Sequence, residues 1–200
     1  PDELAAHCLK ASIERAGINP EEIDDVIMGC AMPQGEQGMN IGRIALLKAG
    51  LPVSIPGMTI NRFCSSGLQS IAIACERIIA GGADAILAGG VESMSMVNFL
   101  NARMHPNAEL FESSPNTYLT MGQTAENVAQ KYNLSREEID EFSLQSHIKA
   151  CAAISKGKFK DEIAPIEVEH RLPVKDGSVN INKFTFDTDE GARANSKIEG

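Results

Sequence analysis

Apolar and polar residues along the first half of the chain follow two periods, which predict helices and strands in alternation. A helical spacing opens the chain and ends at Gly17, where a helix C-terminus commonly turns left-handed. Its apolar positions are Leu4, Ala5, Cys8, Leu9 and Ile13. Further helices are predicted over 41–49 and 65–80, and strands over 25–29, 57–63 and 85–91. This alternation indicates an α/β fold with a mostly parallel sheet covered by helices.

The second half has a different pattern. Residues 98–120 lack periodicity and carry Pro106 and Pro115, which predicts a long surface connection. Two helices are predicted over 123–132 and 136–156, and Ser135 with Glu138 forms a capping box that opens the second. Residues 163–168 fit a short strand, whereas 170–200 are polar and only weakly patterned.

Charge and hydropathy exclude two classes of partner. The 18 Lys and Arg stand against 27 Asp and Glu, a formal net charge of −9, without any basic run. Nucleic-acid binding depends on basic clusters, so no such partner is expected. The longest apolar stretch, 71–83, is interrupted by Glu76 and Arg77 and is shorter than the roughly 20 residues of a membrane span. Neither a span nor a signal peptide is expected.

The cysteine spacing favours free thiols. The five cysteines are Cys8, Cys30, Cys64, Cys75 and Cys151. They form no C-x-x-C pair, so neither a disulfide framework nor a metal site is expected, and the compartment should be reducing, either cytoplasm or an organelle matrix. The chain begins at Pro1 rather than Met and ends in a polar stretch, so we expect it to be a fragment.

Cys64 stands where the predicted strand 57–63 meets the predicted helix 65–80. Its sulfur would lie beside unpaired backbone N–H groups and the positive end of the helix dipole, which both favour a thiolate. The small residues Ser65, Ser66 and Gly67 leave room for a substrate carbonyl, and the N–H of Cys64 could donate to an oxyanion. The helix that follows is apolar on nearly every side, which predicts that it is buried as a rigid mount.

A packing role is the alternative for any single cysteine, because free cysteine is among the most buried residue types. We accept that interpretation for the four other cysteines. Cys64 differs from them by its strand end, its small-residue turn and its apolar helix, and is therefore interpreted as a nucleophile.

The residues around Cys64 resemble the nucleophile motif of the thiolase family. The motif is matched by residues 61–69, Asn-Arg-Phe-Cys-Ser-Ser-Gly-Leu-Gln, and the adjoining helix end and strand are matched by 81–84 and 88–95. Further similar stretches are 38–43, 49–52, 121–129, 135–159 and 189–193. The likeness therefore runs in order through nearly the whole chain.

The resemblance implies a thiolase-like fold, in which two β-α-β-α-β halves stack their sheets around central helices and a loop domain is inserted in the first half. Residues 1–97 would be the first half without its opening strand, and 98–200 an incomplete loop domain. Cys64 would then carry an acyl group as a thioester, which coenzyme A or a second acyl-CoA resolves. The implied protein is an acyl-CoA acyltransferase that cleaves 3-ketoacyl-CoA or condenses acyl-CoA.

The same resemblance implies coenzyme A as a co-substrate, no permanently bound cofactor and no metal. It also implies a homodimer or homotetramer, with the strand that ends at Phe63 at the dimer interface. Met121, in a Met-Gly pair, resembles a residue that lines the acyl pocket; a methionine that fills a core is the equally weighted alternative. Thr120 stands where some members carry a histidine, which favours the degradative 3-ketoacyl-CoA type.

Three further motifs of the family do not occur in this sequence. They are Gly-His-Pro with the base, Cys-x-Gly with a second acid/base, and Asn-Glu-Ala-Phe with an asparagine that holds a water; in the family all lie in the C-terminal half. The four histidines, His7, His105, His147 and His170, are interpreted as surface or capping residues. A nucleophilic thiol needs a partner that takes its proton, so this chain alone is expected to be catalytically incomplete.

Two alternatives stay open at this stage. One is a condensing enzyme of the ketoacyl synthase type, which pairs its cysteine with two histidines downstream. The other is a non-catalytic thiolase-like protein that binds lipid, which an unreactive, buried Cys64 would favour. Nucleotide-binding motifs of the G-x-G-x-x-G and G-x-x-x-x-G-K types do not occur in the expected context.

Overall fold

The computed structural model describes residues 1–97, 105–174 and 177–198. The chain divides into two compact units, Pro1–Arg103 and Met104–Gly200. The sequence places a domain boundary between residues 97 and 98, and the segment that follows, 98–104, lies outside the described residues. That boundary therefore stays a prediction, and each unit is described by itself.

The first unit is a three-stranded parallel sheet with helices on both faces. Its elements are α1 (Asp2–Ala16), β1 (Asp25–Gly29), α2 (Ile41–Lys48), β2 (Gly57–Ile60), α3 (Ser66–Ile79) and β3 (Ile86–Gly90). The strand order is β2-β1-β3, and both pairs are parallel. The predicted α/β class is confirmed. The second strand is shorter than predicted: it ends at Ile60 rather than at residue 63.

The central strand β1 organises the core of this unit. All five of its residues are buried, since it pairs on both edges and is covered on both faces. Alternate residues of a strand point to opposite faces. Val26 and Met28 pack in the cluster formed with α1 and α2, whereas Gly29 approaches α3. Each large aliphatic side chain buried in this way contributes about 1.5–3 kcal/mol.

Helix α3 is buried on one face only, so the prediction of burial on all sides is wrong for this chain. Its buried residues are Ser66, Ser70 and Ala74. Small side chains stand there because the helix lies very close to the sheet: a Cβ added to Gly29 would lie 2.2 Å from the carbonyl carbon of Ser66. The remaining side of α3 carries an exposed apolar face, which consists of Leu68, Ile71, Ile78 and Ile79.

The second unit contains α4 (Ala108–Ser113), α5 (Met121–Tyr132), α6 (Arg136–Ser155), β4 (Ile166–Pro173) and β5 (Val179–Phe186). The two long helices are confirmed. The predicted capping box is present, since Ser135 Oγ accepts from Glu138 N at 3.2 Å and the Glu138 carboxylate accepts from Ser135 N at 2.8 Å.

One expectation for the second unit is wrong, and one stretch without a predicted element is regular. The region predicted as an irregular connection contains α4 and a 3-10 turn over Pro115–Tyr118. The weakly patterned stretch beyond residue 170 contributes to an antiparallel hairpin, in which β4 pairs with β5 from Ile166 opposite Phe186 to Pro173 opposite Val179. The dipeptide Asp176-Gly177 between two runs with β-forming residues was the available hairpin signal.

Within the described ranges, no helix combines the length and the apolar character needed to cross a membrane.

Candidate active site

Cys64 lies at the carboxyl end of the sheet, just before α3. Strand β2 ends at Ile60, a short turn follows, and Ser65 is the N-cap of the helix. Ligand sites of open α/β sheets lie at this end of the strands. The Cys64 side chain is exposed, so a substrate has access to its sulfur.

The turn that carries Cys64 has an unusual backbone conformation. Phe63 has a φ of 48°, in the left-handed region that bulky residues rarely adopt. Three hydrogen bonds hold the turn: Phe63 N donates to Asn61 Oδ1 at 2.8 Å, Ser65 N to Arg62 O at 3.2 Å, and Ser66 N to Phe63 O at 3.0 Å. Strained residues of this kind persist where surrounding contacts fix them, and they cluster at active sites.

Two buried serines fasten α3 to its surroundings. Ser66 Oγ accepts from Arg62 N at 2.8 Å and donates to Phe63 O at 2.6 Å. One turn later, Ser70 Oγ lies 2.7 Å from the carbonyl oxygen of Gly67 in its own helix and 2.7 Å from that of Gly89 in β3. The first turn of the helix is thereby tied both to the Cys64 turn and to the sheet, which gives the cysteine a rigid support.

The electrostatic setting of the turn suits an anion that develops during acyl transfer. The side chain of Ser65 does not cap α3, because its Oγ donates to Arg62 O at 3.2 Å instead. The positive end of the helix dipole therefore faces the turn. The Arg62 guanidinium donates to Gln69 Oε1 in α3. The helix dipole favours a negatively charged oxygen in a transition state at Cys64. A specific role for the N–H of Cys64 stays a prediction.

The other cysteines differ from Cys64 in their surroundings. Cys30 is buried, with 1% exposure, and burial together with the nearby Glu92 carboxylate raises the pKa of its thiol. Cys8 and Cys75 are exposed within α1 and α3, and Cys151 is half-buried in α6. The prediction of buried packing residues is thus right for Cys30 and wrong for Cys8 and Cys75. The two exposed cysteines lie on helix sides that the core does not cover.

The contrast between Cys30 and Cys64 predicts selective alkylation. With iodoacetamide near neutral pH, we expect Cys64 to be modified in the native protein while Cys30 stays unmodified, because Cys30 is covered and its raised pKa keeps it protonated. Peptide mass mapping gives the modified positions, and the unfolded protein, in which all five cysteines react, is the control. Equal rates for Cys30 and Cys64 in the native state would contradict this description.

Met121 belongs to the second unit. It is the first residue of α5 and is 71% exposed, so it does not fill the core of the second unit as described. Thr120 is the N-cap of that helix and forms a capping box with Gln123. The predicted contribution of Met121 to an acyl pocket stays a prediction.

A cavity of about 620 Å³ lies within the second unit, between α6 and the segment 193–198. Arg136, Arg193 and Lys197 line it, against the single carboxylate of Asp140. Arg136 Nε donates to Asp140 at 2.8 Å. The backbone N of Arg193 donates to His147 Nδ1 at 3.2 Å, and its guanidinium lies 3.1 Å from Nε2. The cavity is therefore cationic.

This cavity was missed by sequence reasoning, which treated His147 as an ordinary surface histidine. His147 and Arg193 are 46 positions apart, so no local pattern joins them. The family-like stretch that ends at Arg193 was the available signal. Of the remaining histidines, His7 lies on α1, and His105 and His170 lie in the second unit. None of the four is assigned as the base that Cys64 needs.

Known proteins similar to this chain agree with the fold described above. A 3-ketoacyl-CoA thiolase of Bacillus subtilis is 48% identical over 96% of this chain and 49% of its own length. An acetyl-CoA acetyltransferase of Chromobacterium violaceum is 42% identical over 99% of this chain and 51% of its own. The crystal structure of the Bacillus anthracis acetyl-CoA acetyltransferase superposes with a TM-score of 0.81 at 36% identity, over all of this chain and 51% of that one.

The chain thus spans about half the length of the curated relatives it matches. The family model for the thiolase N-terminal domain matches residues 1–200. With a thiolase-like fold and an exposed cysteine at the start of α3, this chain belongs to the thiolase family.

Proposed function

We propose that the natural polypeptide containing this chain is an acyl-CoA acyltransferase in which Cys64 carries the acyl group. The observation that carries the proposal is the exposed sulfur of Cys64, presented by a fixed turn at the positive end of α3. Relatives that match nearly the whole chain are named 3-ketoacyl-CoA thiolase and acetyl-CoA acetyltransferase, which supports the same chemistry.

The reaction has two steps. In the cleavage direction, the Cys64 sulfur attacks the 3-keto carbon of a 3-ketoacyl-CoA, and the bond between C2 and C3 breaks. C2 takes up a proton and leaves as acetyl-CoA, while the shortened acyl chain stays on Cys64 as a thioester. The thiol of free coenzyme A then attacks this thioester, gives up its proton and releases the shortened acyl-CoA. Condensation of two acyl-CoA molecules is the reverse sequence.

The cationic cavity of the second unit supports coenzyme A as the co-substrate. Coenzyme A carries several phosphate charges, and guanidinium and ammonium groups are the side chains that bind phosphate. Arg136, Arg193 and Lys197 supply such groups around one cavity. The residues present therefore fit a phosphate-bearing ligand, and no metal is needed for the two steps.

The groups that move protons to and from Cys64 are proposed to lie outside this chain. The exposed apolar face of α3 supports a packing partner, because exposed apolar surface of this kind usually marks a contact. We assign this face to the other half of the polypeptide and expect the 200-residue chain alone to be inactive. The complete protein is proposed to be a homodimer or homotetramer in a reducing compartment.

A thiolysis assay tests the proposed function. The natural polypeptide is mixed with free coenzyme A and 3-ketoacyl-CoA of increasing chain length, and the products are separated and identified by mass spectrometry. We expect acetyl-CoA and an acyl-CoA that is two carbons shorter. When free coenzyme A is left out, cleavage should stop after one acetyl-CoA per Cys64, because the acyl group then stays on the sulfur. If no chain length is cleaved, the non-catalytic lipid-binding alternative takes its place.

A further inference from the structure

Three chain segments leave the sheet side by side at the end where Cys64 lies. Their backbones stay paired beyond the strands, because Cys30 N donates to Ile60 O at 3.0 Å and Val91 N donates to Gly29 O at 2.9 Å. The segments after β1, β2 and β3 are thus held together at the base of the Cys64 turn.

Asn61 joins the segment after β1 to the Cys64 turn. Its Nδ2 donates to Ala31 O at 3.0 Å, and its Oδ1 accepts from Phe63 N at 2.8 Å. Because one end of the amide donates and the other accepts, only one orientation of the side chain satisfies both bonds. Phe63 is the residue with positive φ directly before Cys64, so Asn61 holds the strained position itself.

Gln37 and Glu92 fix the other side of Ala31. The Glu92 carboxylate accepts from Ala31 N at 2.6 Å and also from the Gln37 side-chain amide. Gln37 is fully buried; its amide also donates to Met32 O at 2.8 Å and accepts from Ser93 N at 2.8 Å. Breaking a satisfied buried amide leaves polar atoms unpaired, which is unfavourable. The backbone N–H of Ala31 is therefore anchored through Glu92 to the buried Gln37.

We propose that Asn61 is a positioning residue for Cys64, the last link of a hydrogen-bonded chain that runs from Gln37 and Glu92 through Ala31 to Phe63. This inference rests on the proposed role of Cys64 as the acyl carrier. The chain of bonds sets the direction of the Cys64 sulfur by fixing the residue before it. Loss of these bonds should therefore lower the rate of acylation, because a misplacement of the reacting atom by about 1 Å can slow a reaction about 10²-fold.

The test measures single-turnover acylation of Cys64 by acetyl-CoA in the natural polypeptide. For Asn61→Ala we expect the maximal acylation rate to fall at least about tenfold, while the half-saturating acetyl-CoA concentration changes less than about twofold. The matched control is Asn19→Ala. Asn19 caps the turn at the opposite end of β1, where its Oδ1 accepts from Glu21 N at 3.1 Å, and its loss should leave both constants unchanged.

A double-mutant cycle tests the chain of bonds itself. Glu92→Ala should slow acylation as well, and the double variant Asn61→Ala/Glu92→Ala should be faster than the product of the two single effects predicts, because both act on the same turn. The proposal would be overturned if the maximal acylation rate of Asn61→Ala equalled that of the wild type. Independent effects of the two substitutions on that rate would also overturn it. So would a loss in Asn61→Ala that is confined to the half-saturating concentration.

Hydrogen exchange separates this inference from the proposed function. Asn61→Ala and Glu92→Ala should both speed exchange of the Phe63 amide, and Asn19→Ala should not, whether or not any acyl adduct forms. If wild-type protein forms no adduct but the exchange pattern is as expected, the proposed function fails while the positioning chain stands. Unchanged exchange at Phe63 in Asn61→Ala contradicts the positioning chain alone.

Discussion

Replacing Cys64 with alanine is expected to lower the rate of 3-ketoacyl-CoA cleavage at least about 10³-fold. Alanine has no sulfur that can attack the substrate and carry the acyl group between the two steps. The Cys64 side chain is exposed and lies on a turn, so its loss should not disturb the core. The measurement is steady-state thiolysis at saturating coenzyme A, together with a thermal unfolding curve for each variant.

The control for this substitution is Cys8→Ala. Cys8 is also an exposed cysteine, but it lies in α1, neither beside Cys64 nor on the exposed apolar face of α3. We expect its loss to change the rate less than about twofold, in the range of ordinary surface substitutions. A Cys64→Ala variant that keeps a tenth or more of the wild-type rate would show that the nucleophile is another group.

Replacing Gly29 with alanine is expected to destabilise the protein by at least about 3 kcal/mol, the upper part of the range for overpacking. The added Cβ would lie 2.2 Å from Ser66 C and 2.5 Å from Gly67 N. These are backbone atoms of the first turn of α3, so no side-chain rotation can make room. The helix must move away from the sheet, and Cys64 must move with it, so acylation should fall as well.

Gly89→Ala is the matched control, because Gly89 lies on the neighbouring strand of the same sheet. A Cβ at Gly89 would meet only the Met28 sulfur, at 3.9 Å, which is ordinary contact. Urea unfolding of both variants gives the comparison. A free energy of unfolding that falls equally for Gly29→Ala and Gly89→Ala would contradict the close packing of α3 on the sheet.

Elements with a strong local signal were predictable from the sequence. The helices α1, α2, α5 and α6 follow from apolar periodicity and capping residues, and their observed bounds lie within two residues of the predicted ones. The three parallel strands follow from short apolar runs between those helices. The hairpin β4–β5 was only partly predicted, because its strands are mostly exposed and their apolar alternation is interrupted at His170-Arg171 and at Lys183.

The burial of α3 could not be read from its composition. Its apolar residues suggest burial on every side, yet the face against the sheet consists of small residues. That face is set by how closely Gly29 and Gly90 let the helix approach, which is a relation between distant parts of the chain. Large apolar residues of α3 remain on the exposed side. We proposed above that the other half of the polypeptide covers this side.

Within the candidate site, Cys64 was predictable because its chemistry depends on its immediate neighbours. The strand end, the small residues and the helix start are all local features. The conformation of Phe63 and the bridge from Asn61 to Ala31 were not, since they depend on side chains that reach across strand ends. The cationic cavity was missed for the same reason, because Arg193 meets His147 only after folding.

Locating the acyl adduct tests the central claim most directly. The natural polypeptide is mixed with acetyl-CoA and digested under acidic conditions that preserve thioesters. The masses of its peptides are then measured by mass spectrometry. We expect one acetyl group on the peptide that contains Cys64, lost when free coenzyme A is added and absent from Cys64→Ala. An acetyl group on another residue, or no adduct with any acyl-CoA, would contradict the role of Cys64 as the acyl carrier.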